Sequence, residues 1–529
     1  MSVMDQRFTL RHEIHYGSRL VRCYALRPAS VHDLFSAALV RGPEREALSS
    51  PTERLTYGEL DQRAARVAGL WRARGLGRGD RVVLMVSNRM GFVIAFLAAQ
   101  RLGAVTVPVS IRESADGLAF ILEQCKAKAL VHDAALADRV AAPETHPGLL
   151  CIETEALEAL STQAGSEVTP VSVGEAARVA EDDVACLLYT SGTTGRPKGA
   201  MLTHFGIVHS CIHYQQVMAL GDHERSILAV PASHVTGLVA MITTMWHVGG
   251  SLTLMPEFKA AHFLEVASRE RITHTMLVPA MYALCLLQPQ FASTDLSAWR
   301  IGSYGGAPMP QATIEALAGT VPGLTLMNAY GATETSSPAT LMPRGEQAAH
   351  LDSVGQPLPC VDIIVVDDEG CEVAPGETGE LMIAGPCVVP GYWDNPEATA
   401  REFIGGYWRS GDLGSKDVEG FVRIFDRKKD MINRGGYKIW SVEVENTLAG
   451  YPGVIEAAAI GVPCPVLGER VHAFVHTTQP APDPEVLRAW CAERLADYKV
   501  PEAIGLRSEP LPRNANGKLM KRTMREWTA

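Results

Sequence analysis

An excess of positive charge, a paired-cysteine motif, a leader-like start and an apolar run of membrane length are all missing from these 529 residues. Each absence removes a class of function. Lysine and arginine number 48 against 59 aspartates and glutamates, a formal charge of −11. Gripping a nucleic-acid backbone calls for a basic face, so no nucleic-acid partner is expected and any bound nucleotide is a small molecule. The eleven cysteines, Cys186, Cys211, Cys285 and Cys464 among them, are scattered without CxxC spacing or histidine pairing. That argues against structural zinc and, with no signal-peptide pattern near the N-terminus, for a reducing, cytoplasmic setting. The most apolar stretch, 234–256, is interrupted by Thr, His and a Gly pair. A membrane span needs about 20 largely apolar residues, so none is expected. Internal repeats and low-complexity tracts are also absent, which excludes a repeat architecture.

What is present is a long α/β pattern. The chain exceeds one ordinary core, so a large domain plus a smaller one is the natural prior. Short β-rich runs at 81–88, 103–110, 128–133, 184–192, 226–233 and 273–280 alternate with helix-length amphipathic segments such as "YGELDQRAARVAGLWRARG" (57–75). Alternation of this kind implies parallel sheets covered on both faces. Residues 351–425 carry shorter strands with turn signals, a β-rich subdomain. A charged, glycine-bearing linker, "FDRKKDMINRGGYKIW" (425–440), leads into a small α+β domain. There "EVENTLAG" and "DPEVLRAWCAERLADYKVP" predict helices, and "VIEAAAIGVP" and "RVHAFVHT" strands.

The stretch "YTSGTTGRPKGAMLTH" (189–204) looks like a phosphate-binding loop, yet it is not spelled as a Walker loop. The hydroxyl that should follow the lysine and hold magnesium is missing, because Lys198 stands between Pro197 and Gly199. No GxGxxG opens a helix after a strand, which leaves a dinucleotide site without support. The composition still suits polyphosphate. Thr190, Ser191, Thr193 and Thr194 offer hydroxyls, Gly192 and Gly195 allow close backbone approach, and Lys198 adds a mobile positive charge. Taken alone, the loop reads more readily as a Gly/Ser/Thr surface turn after a buried strand.

It is not alone. From "LTYGEL" (55–60) to "NGKLMKR" (516–522), the chain resembles the adenylate-forming superfamily of acyl- and aryl-CoA synthetases, firefly luciferase and nonribosomal peptide synthetase adenylation domains, with the motifs in family order. "NAYGATETS" (328–336) is similar to the motif whose tyrosine stacks on adenine, whose threonine contacts the α-phosphate and whose glutamate holds magnesium, which implies Tyr330, Thr333 and Glu334. A carboxylate suits a hard cation that bridges phosphate oxygens. "SYGGAPMP" (303–310) resembles the segment on the other face of adenine, implying Gly305, Gly306, Ala307 and Pro308. "YWRSGDLG" (407–414) implies Asp412 as acceptor of the ribose hydroxyls. "PASHVTGL" (231–238) resembles the segment whose histidine, here His234, lies near the acid; Ser233 replaces the usual aromatic neighbour. In the linker, Arg427 takes the place of a ribose-binding arginine and Lys429 that of the pivot, where aspartate is more frequent, while Asp426 stands where glycine is usual. Gly435 and Gly436 resemble the loop that helps line a thioester tunnel, and Lys518 the C-terminal catalytic lysine.

The resemblance implies a domain of residues 1–427 that binds ATP and the acid, a hinge at 428–430 and a mobile domain at 431–529. It also implies two reactions in one place. An acid attacks ATP with magnesium on Glu334 and releases pyrophosphate, and a thiol, that of CoA, then takes the acyl group and releases AMP. Eleven residues follow Lys518, so no fused carrier domain is expected. A discrete carrier protein or an amine remains open as acceptor, as does a non-catalytic nucleotide-binding protein of this fold. An apolar or aromatic acid suits the Met-containing stretch 234–246 and the small residues 305–307, although both would serve equally as core packing.

Overall fold

Six β-rich runs of the sequence fold as strands, with ends shifted by up to five residues: Arg81–Met85, Val105–Pro108, Ala127–His132, Val184–Thr190, Arg225–Leu228 and His274–Leu277. A computed structural model describes residues 8–140, 148–163, 169–190, 196–307, 309–478, 480–513 and 519–528. It forms two compact units, Met1–Ile363 with Ile383–Trp408, and Ile364–Met382 with Arg409–Ala529.

The first unit holds two large sheets. One has the order Lys198–Thr203, Val184–Thr190, Val105–Pro108, Arg81–Met85, Ala127–His132, Leu150–Glu153, parallel except for the hairpin formed by the first two strands. The other has nine strands, in which Thr325–Ala332, Ile301–Gly305, His274–Leu277, Arg225–Leu228, Ser251–Leu254 and Glu46–Ser49 run parallel in that order. Helix Tyr57–Ala73 starts with a reciprocal capping box between Thr56 and Glu59. Helix Met90–Arg101 is buried along its whole length, as its continuous apolar sequence requires. Its one charge, Arg101, is answered inside by Asp61, the carbonyls of Asp61 and Val171, and His32 Nε2.

The apolar stretch at 234–256 becomes a π-helix, Thr236–Thr243, then the short helix Thr244–Val248 and strand Ser251–Leu254. The hydroxyls of Thr243 and Thr244 both bond Val239 O, at 3.0 and 2.8 Å, and so compete for the carbonyl that an α-turn needs. Leu238, Val239, Met241 and Ile242 are fully buried in the core, so this face packs the protein. Among the described residues no helix is long and apolar enough to cross a membrane. All eleven cysteines are free thiols.

In the 351–425 region the strands are Asp362–Val366, Gly379–Ala384, Tyr407–Lys416 and Val422–Arg427, and the division between the units passes through them. The second unit adds a sheet of Val454–Cys464, Gly468–Thr477, Ile432–Arg434 and Tyr437–Ile439, with Ala503–Arg507 paired parallel to Gly468–Thr477. Helix Ser441–Ala449 matches expectation. The helix expected across 483–501 stops at Ala492 and resumes only as a 3-10 turn at Asp497–Lys499. Leu495 leaves the helix to pack on that unit's core.

Buried histidines contribute to the pH response of the first unit. His204 Nδ1 accepts the Val31 N–H at 3.1 Å, and burial holds its pKa at about 4 against an ordinary 6.5. Burial and the adjacent Arg101 hold His32 at about 3. Both stay neutral when folded but take up a proton when unfolded, so stability present above pH 6.5 is lost as pH falls toward these lowered values. A urea titration should show His204 alone costing about 2 kcal/mol between about pH 7 and pH 5. His204→Asn, whose amide oxygen replaces Nδ1 as acceptor, should remove that share; an unchanged pH slope would refute the burial of a neutral ring.

Candidate functional site

Parallel strands place their carboxyl ends on one edge, and there the chain changes direction. From Arg225–Leu228 it crosses to Ser251–Leu254 on one side, returns to His274–Leu277 on the other, and then moves outward to Ile301–Gly305 and Thr325–Ala332. Such a reversal opens a crevice beyond the strand ends, where ligands bind in open α/β sheets. The carboxyl ends of these strands and the segments that follow carry His234, Gly305–Ala307 and Tyr330–Glu334.

Asn88 fixes the first segment. Buried beyond strand Arg81–Met85, it donates to the carbonyls of Leu228, Val230 and Met255 at 2.9–3.1 Å, and its Oδ1 accepts the Ala232 N–H at 2.8 Å. The loop leading to His234 is thereby clamped between the two sheets. His234 Nδ1 in turn accepts the Thr236 N–H at 3.3 Å, so its neutral tautomer carries the proton on Nε2. The ring keeps solvent access although protein surrounds it, and the resulting desolvation lowers its pKa toward the neutral form.

Gly305 and Tyr330 come together because Ile301–Gly305 pairs in parallel with Thr325–Ala332, Gly305 lying opposite Ala329. This approach is closed to other residues: a Cβ on Gly305 would stand 2.3 Å from Ala329 O. One on Gly331 would stand 1.6 Å from Ser337 O, where the antiparallel register shifts after Tyr330. The 3-10 turn Thr333–Thr335 follows, with Ser336 at φ 48° and Ser337 at φ 101°. Thr335 Oγ1 holds it by accepting the Ala332 N–H at 2.9 Å. Tyr330 and Thr333 are half-buried and Glu334 is buried at the turn.

Glu334 meets the glycine-rich loop. Thr190 and Lys198 are register partners at the mouth of the hairpin, and Thr190 Oγ1 lies 3.3 Å from Glu334 Oε1. Sequence reasoning missed the remaining members. Segment 391–393 pairs alongside the hairpin through Trp393 N to Gly199 O at 2.8 Å and Met201 N to Gly391 O at 3.1 Å. This places Tyr392 Oη 2.9 Å from Glu334 Oε1 and 2.6 Å from Glu402 Oε2. Lys198 Nζ donates to both Glu402 oxygens, at 2.6 and 2.8 Å, and sits 4.1 Å from the Tyr392 ring centre. Burial and then the two carboxylates push the Tyr392 phenol far above its ordinary range. Burial opposes ionisation of Glu402, but the bonds from Lys198 and Tyr392 outweigh it and hold the carboxyl below the usual range. The Tyr392 hydroxyl thus stands between two carboxylates, of which Glu402 takes Lys198 and Arg401 while that of Glu334 has, among the described residues, hydroxyl partners alone. Hard oxygen donors short of positive charge fit a divalent cation such as magnesium at Glu334. The available signal was "GYWDNPEATAREF" (391–403), where a buried tyrosine and a carboxylate leave Lys198 a partner.

In the second unit Asp412 and Arg427 are opposite one another on paired strands and form an ion pair at 2.7 Å. Lys429 lies in a tight turn closed by Asp430 N and Met431 N on Arg427 O, and its carbonyl accepts from Arg525. Asp426, a departure without evident consequence in the sequence, has a role here. One oxygen accepts Arg427 N and the other caps helix Ser441–Ala449 at Ser441 N, 2.5 Å away. Gly435 and Gly436 take φ of 61° and 90° at the turn between strands Ile432–Arg434 and Tyr437–Ile439. Ser191, Gly192, Thr193, Thr194, Pro308 and Lys518 lie outside the described residues.

Residues 35–393 match the family described as AMP-binding enzyme, and 443–518 match the AMP-binding enzyme C-terminal domain. A feruloyl-CoA synthase from Amycolatopsis sp is 36% identical over 91% of this chain and 96% of its own length. The long-chain-fatty-acid–CoA ligase FadD13 of Mycobacterium tuberculosis is 33% identical over 92% of this chain and 95% of its own. The structure of o-succinylbenzoate coenzyme A synthetase (MenE) from Bacillus subtilis, in complex with ATP and magnesium ion, superposes with a TM-score of 0.82 at 29% identity, covering 92% of this chain and 98% of that one.

The contact at Gly331 can be tested by stability alone. Gly331→Ala should lower stability by about 3 kcal/mol by forcing the Ser337 carbonyl away. Gly323→Ala, with open space around it, should leave the urea midpoint nearly unchanged. Equal midpoints for the two variants would contradict the close approach.

Proposed function

Because the chain belongs to the AMP-binding enzyme family, we propose that it activates a small-molecule acid with ATP as the acyl adenylate and passes the acyl group to the thiol of coenzyme A. The observation that carries this reading is the contact of Thr190 with Glu334 at the carboxyl end of strand Thr325–Ala332, with Lys198 one side chain away through Tyr392 and Glu402. A cation and hard oxygen ligands stand together where a polyphosphate needs both.

In the first step an oxygen of the acid attacks the α-phosphorus in line, and the bond to pyrophosphate breaks. The protein contributes position and charge rather than a nucleophile. Tyr330 supplies an aromatic face for adenine, with Gly305, Gly306, Ala307 and Pro308 on its other side. Thr333 contacts the α-phosphate, and Thr190, Ser191, Gly192, Thr193 and Thr194 enclose the outer phosphates that Lys198 attracts. His234, neutral near pH 7, presents Nε2–H to the acid carboxylate. Glu334 would hold magnesium, which would supply charge neutralisation for the polyphosphate. Asp412 and Arg427 serve the ribose, and Lys518 neutralises charge as the adenylate forms.

In the second step the C-terminal domain, 431–529, turns on a hinge at 428–430 about Lys429 relative to residues 1–427. Gly435 and Gly436 then admit the pantetheine arm, and the thiol sulfur attacks the acyl carbon as AMP leaves. The tight turn at 427–431 between two strands supports the hinge position. The relatives' names, feruloyl and long-chain fatty acid, favour an apolar or aromatic acid. A discrete carrier protein is the alternative acceptor, and the eleven free thiols support a cytoplasmic setting.

The direct experiment supplies ATP, magnesium and CoA with acids of graded length and aromaticity and analyses products by mass. An acyl-CoA appearing in step with AMP supports the assignment; AMP released only when a carrier protein replaces CoA moves it to the alternative. Lys518→Ala should slow adenylate formation by about 100-fold or more, yet largely spare thioester formation from a supplied adenylate. Equal loss of both steps would exclude Lys518 from its role. Lys429→Pro should do the converse, and unaltered thioester formation would remove the hinge.

A further inference from the structure

A lysine beside a metal-binding carboxylate poses a problem. Left to itself, Lys198 would neutralise Glu334 and occupy the oxygens that a divalent cation requires. The protein places a second carboxylate, Glu402, in its path. Lys198 Nζ is 2.8 Å from Glu402 Oε1 and 2.6 Å from Oε2, a two-oxygen grip, and its side chain is only 10% exposed. Arg401 also reaches Glu402 Oε1, at 3.0 Å, from a more exposed position. Between the two carboxylates stands Tyr392, 3% exposed, with its hydroxyl in reach of both and its ring face against the lysine ammonium. The tyrosine is not free to drift. Its segment is bridged to 199–201, and its N–H bonds Thr399 Oγ1 at 2.9 Å, within the helix that carries Glu402.

We propose that Glu402 is a positioning residue for Lys198 and Tyr392 the spacer: before ATP arrives they hold the ammonium off Glu334, leaving that carboxylate unneutralised and the lysine on the strand beside Thr190. This rests on the ligase reading for the identity of the phosphates, though not for the holding contact itself. Polyphosphate oxygens, which carry more charge than one carboxylate, compete for the ammonium and release it from Glu402. The arrangement keeps two opposite charges apart until their shared ligand enters, so neither is spent on the other.

The test begins without ATP. Trace acetylation of the intact protein, read by mass analysis at each lysine, reports how firmly each ammonium is held. In Glu402→Gln, Lys198 labelling should rise about fivefold while other lysines and the unfolding midpoint stay put; Glu402→Asp should restore part of the protection. Tyr392→Phe, which keeps the ring but removes the hydroxyl, should raise the magnesium concentration needed for half-maximal ATP binding, as should Glu402→Gln, by about tenfold. A larger effect on KM for ATP than on kcat is expected in both. Lys198 labelling unchanged in Glu402→Gln would overturn the proposal, as would a magnesium requirement equal to that of the unaltered protein. Protection of Lys198 by ATP in the unaltered protein is a separate arm. Its failure would count against the phosphate reading and leave the holding contact intact.

Discussion

The pairing of residues 391–393 with the hairpin strand Lys198–Thr203 is the constraint on which the site depends. Without it Tyr392 would not reach Glu334, and Glu402 would not reach Lys198. Two backbone hydrogen bonds between segments nearly two hundred residues apart thus decide where the charges of the site lie. They also explain why the first compact unit takes in Ile383–Trp408 after the chain has already entered the second. The segment returns to the first unit to bring Tyr392 and Glu402 to Glu334 and Lys198.

A second layer of order comes from groups that never face a ligand. Asn88 satisfies every hydrogen-bonding atom of its amide on the loop before His234, and in doing so ties one sheet to the other. Gly305 and Gly331 permit neighbouring strands to come close enough for the half-buried Tyr330 and the turn at Glu334 to share one edge. The positive φ at Ser336 and Ser337 marks strain held at that turn, a common location for it beside functional groups.

Much of this was legible in the sequence, for reasons that are local. Alternation of β-rich and amphipathic runs revealed the parallel sheets, because strand and helix periods are short-range properties. Lys198 and Glu334 stood out because their motifs are contiguous. Glu402, Tyr392 and Asn88 did not, since their function is to bond segments distant in the chain and no local period records that. Asp426 was visible only as a departure from a family pattern; its meaning, a cap on the helix at Ser441, required the fold. The apolar residues at 238–242 point the other way. Read as a possible acid pocket or as core, they prove to be core, and their π-helical turns come from two threonines rather than from hydrophobicity.

The central claim is that the acid's own oxygen attacks the α-phosphorus of ATP. It is tested most directly by carrying out the reaction with a substrate acid labelled with oxygen-18 in its carboxylate. One labelled oxygen should appear in AMP and none in inorganic phosphate. Label recovered in inorganic phosphate, with ADP as the nucleotide product, would mean attack at the γ-phosphorus and would contradict the account.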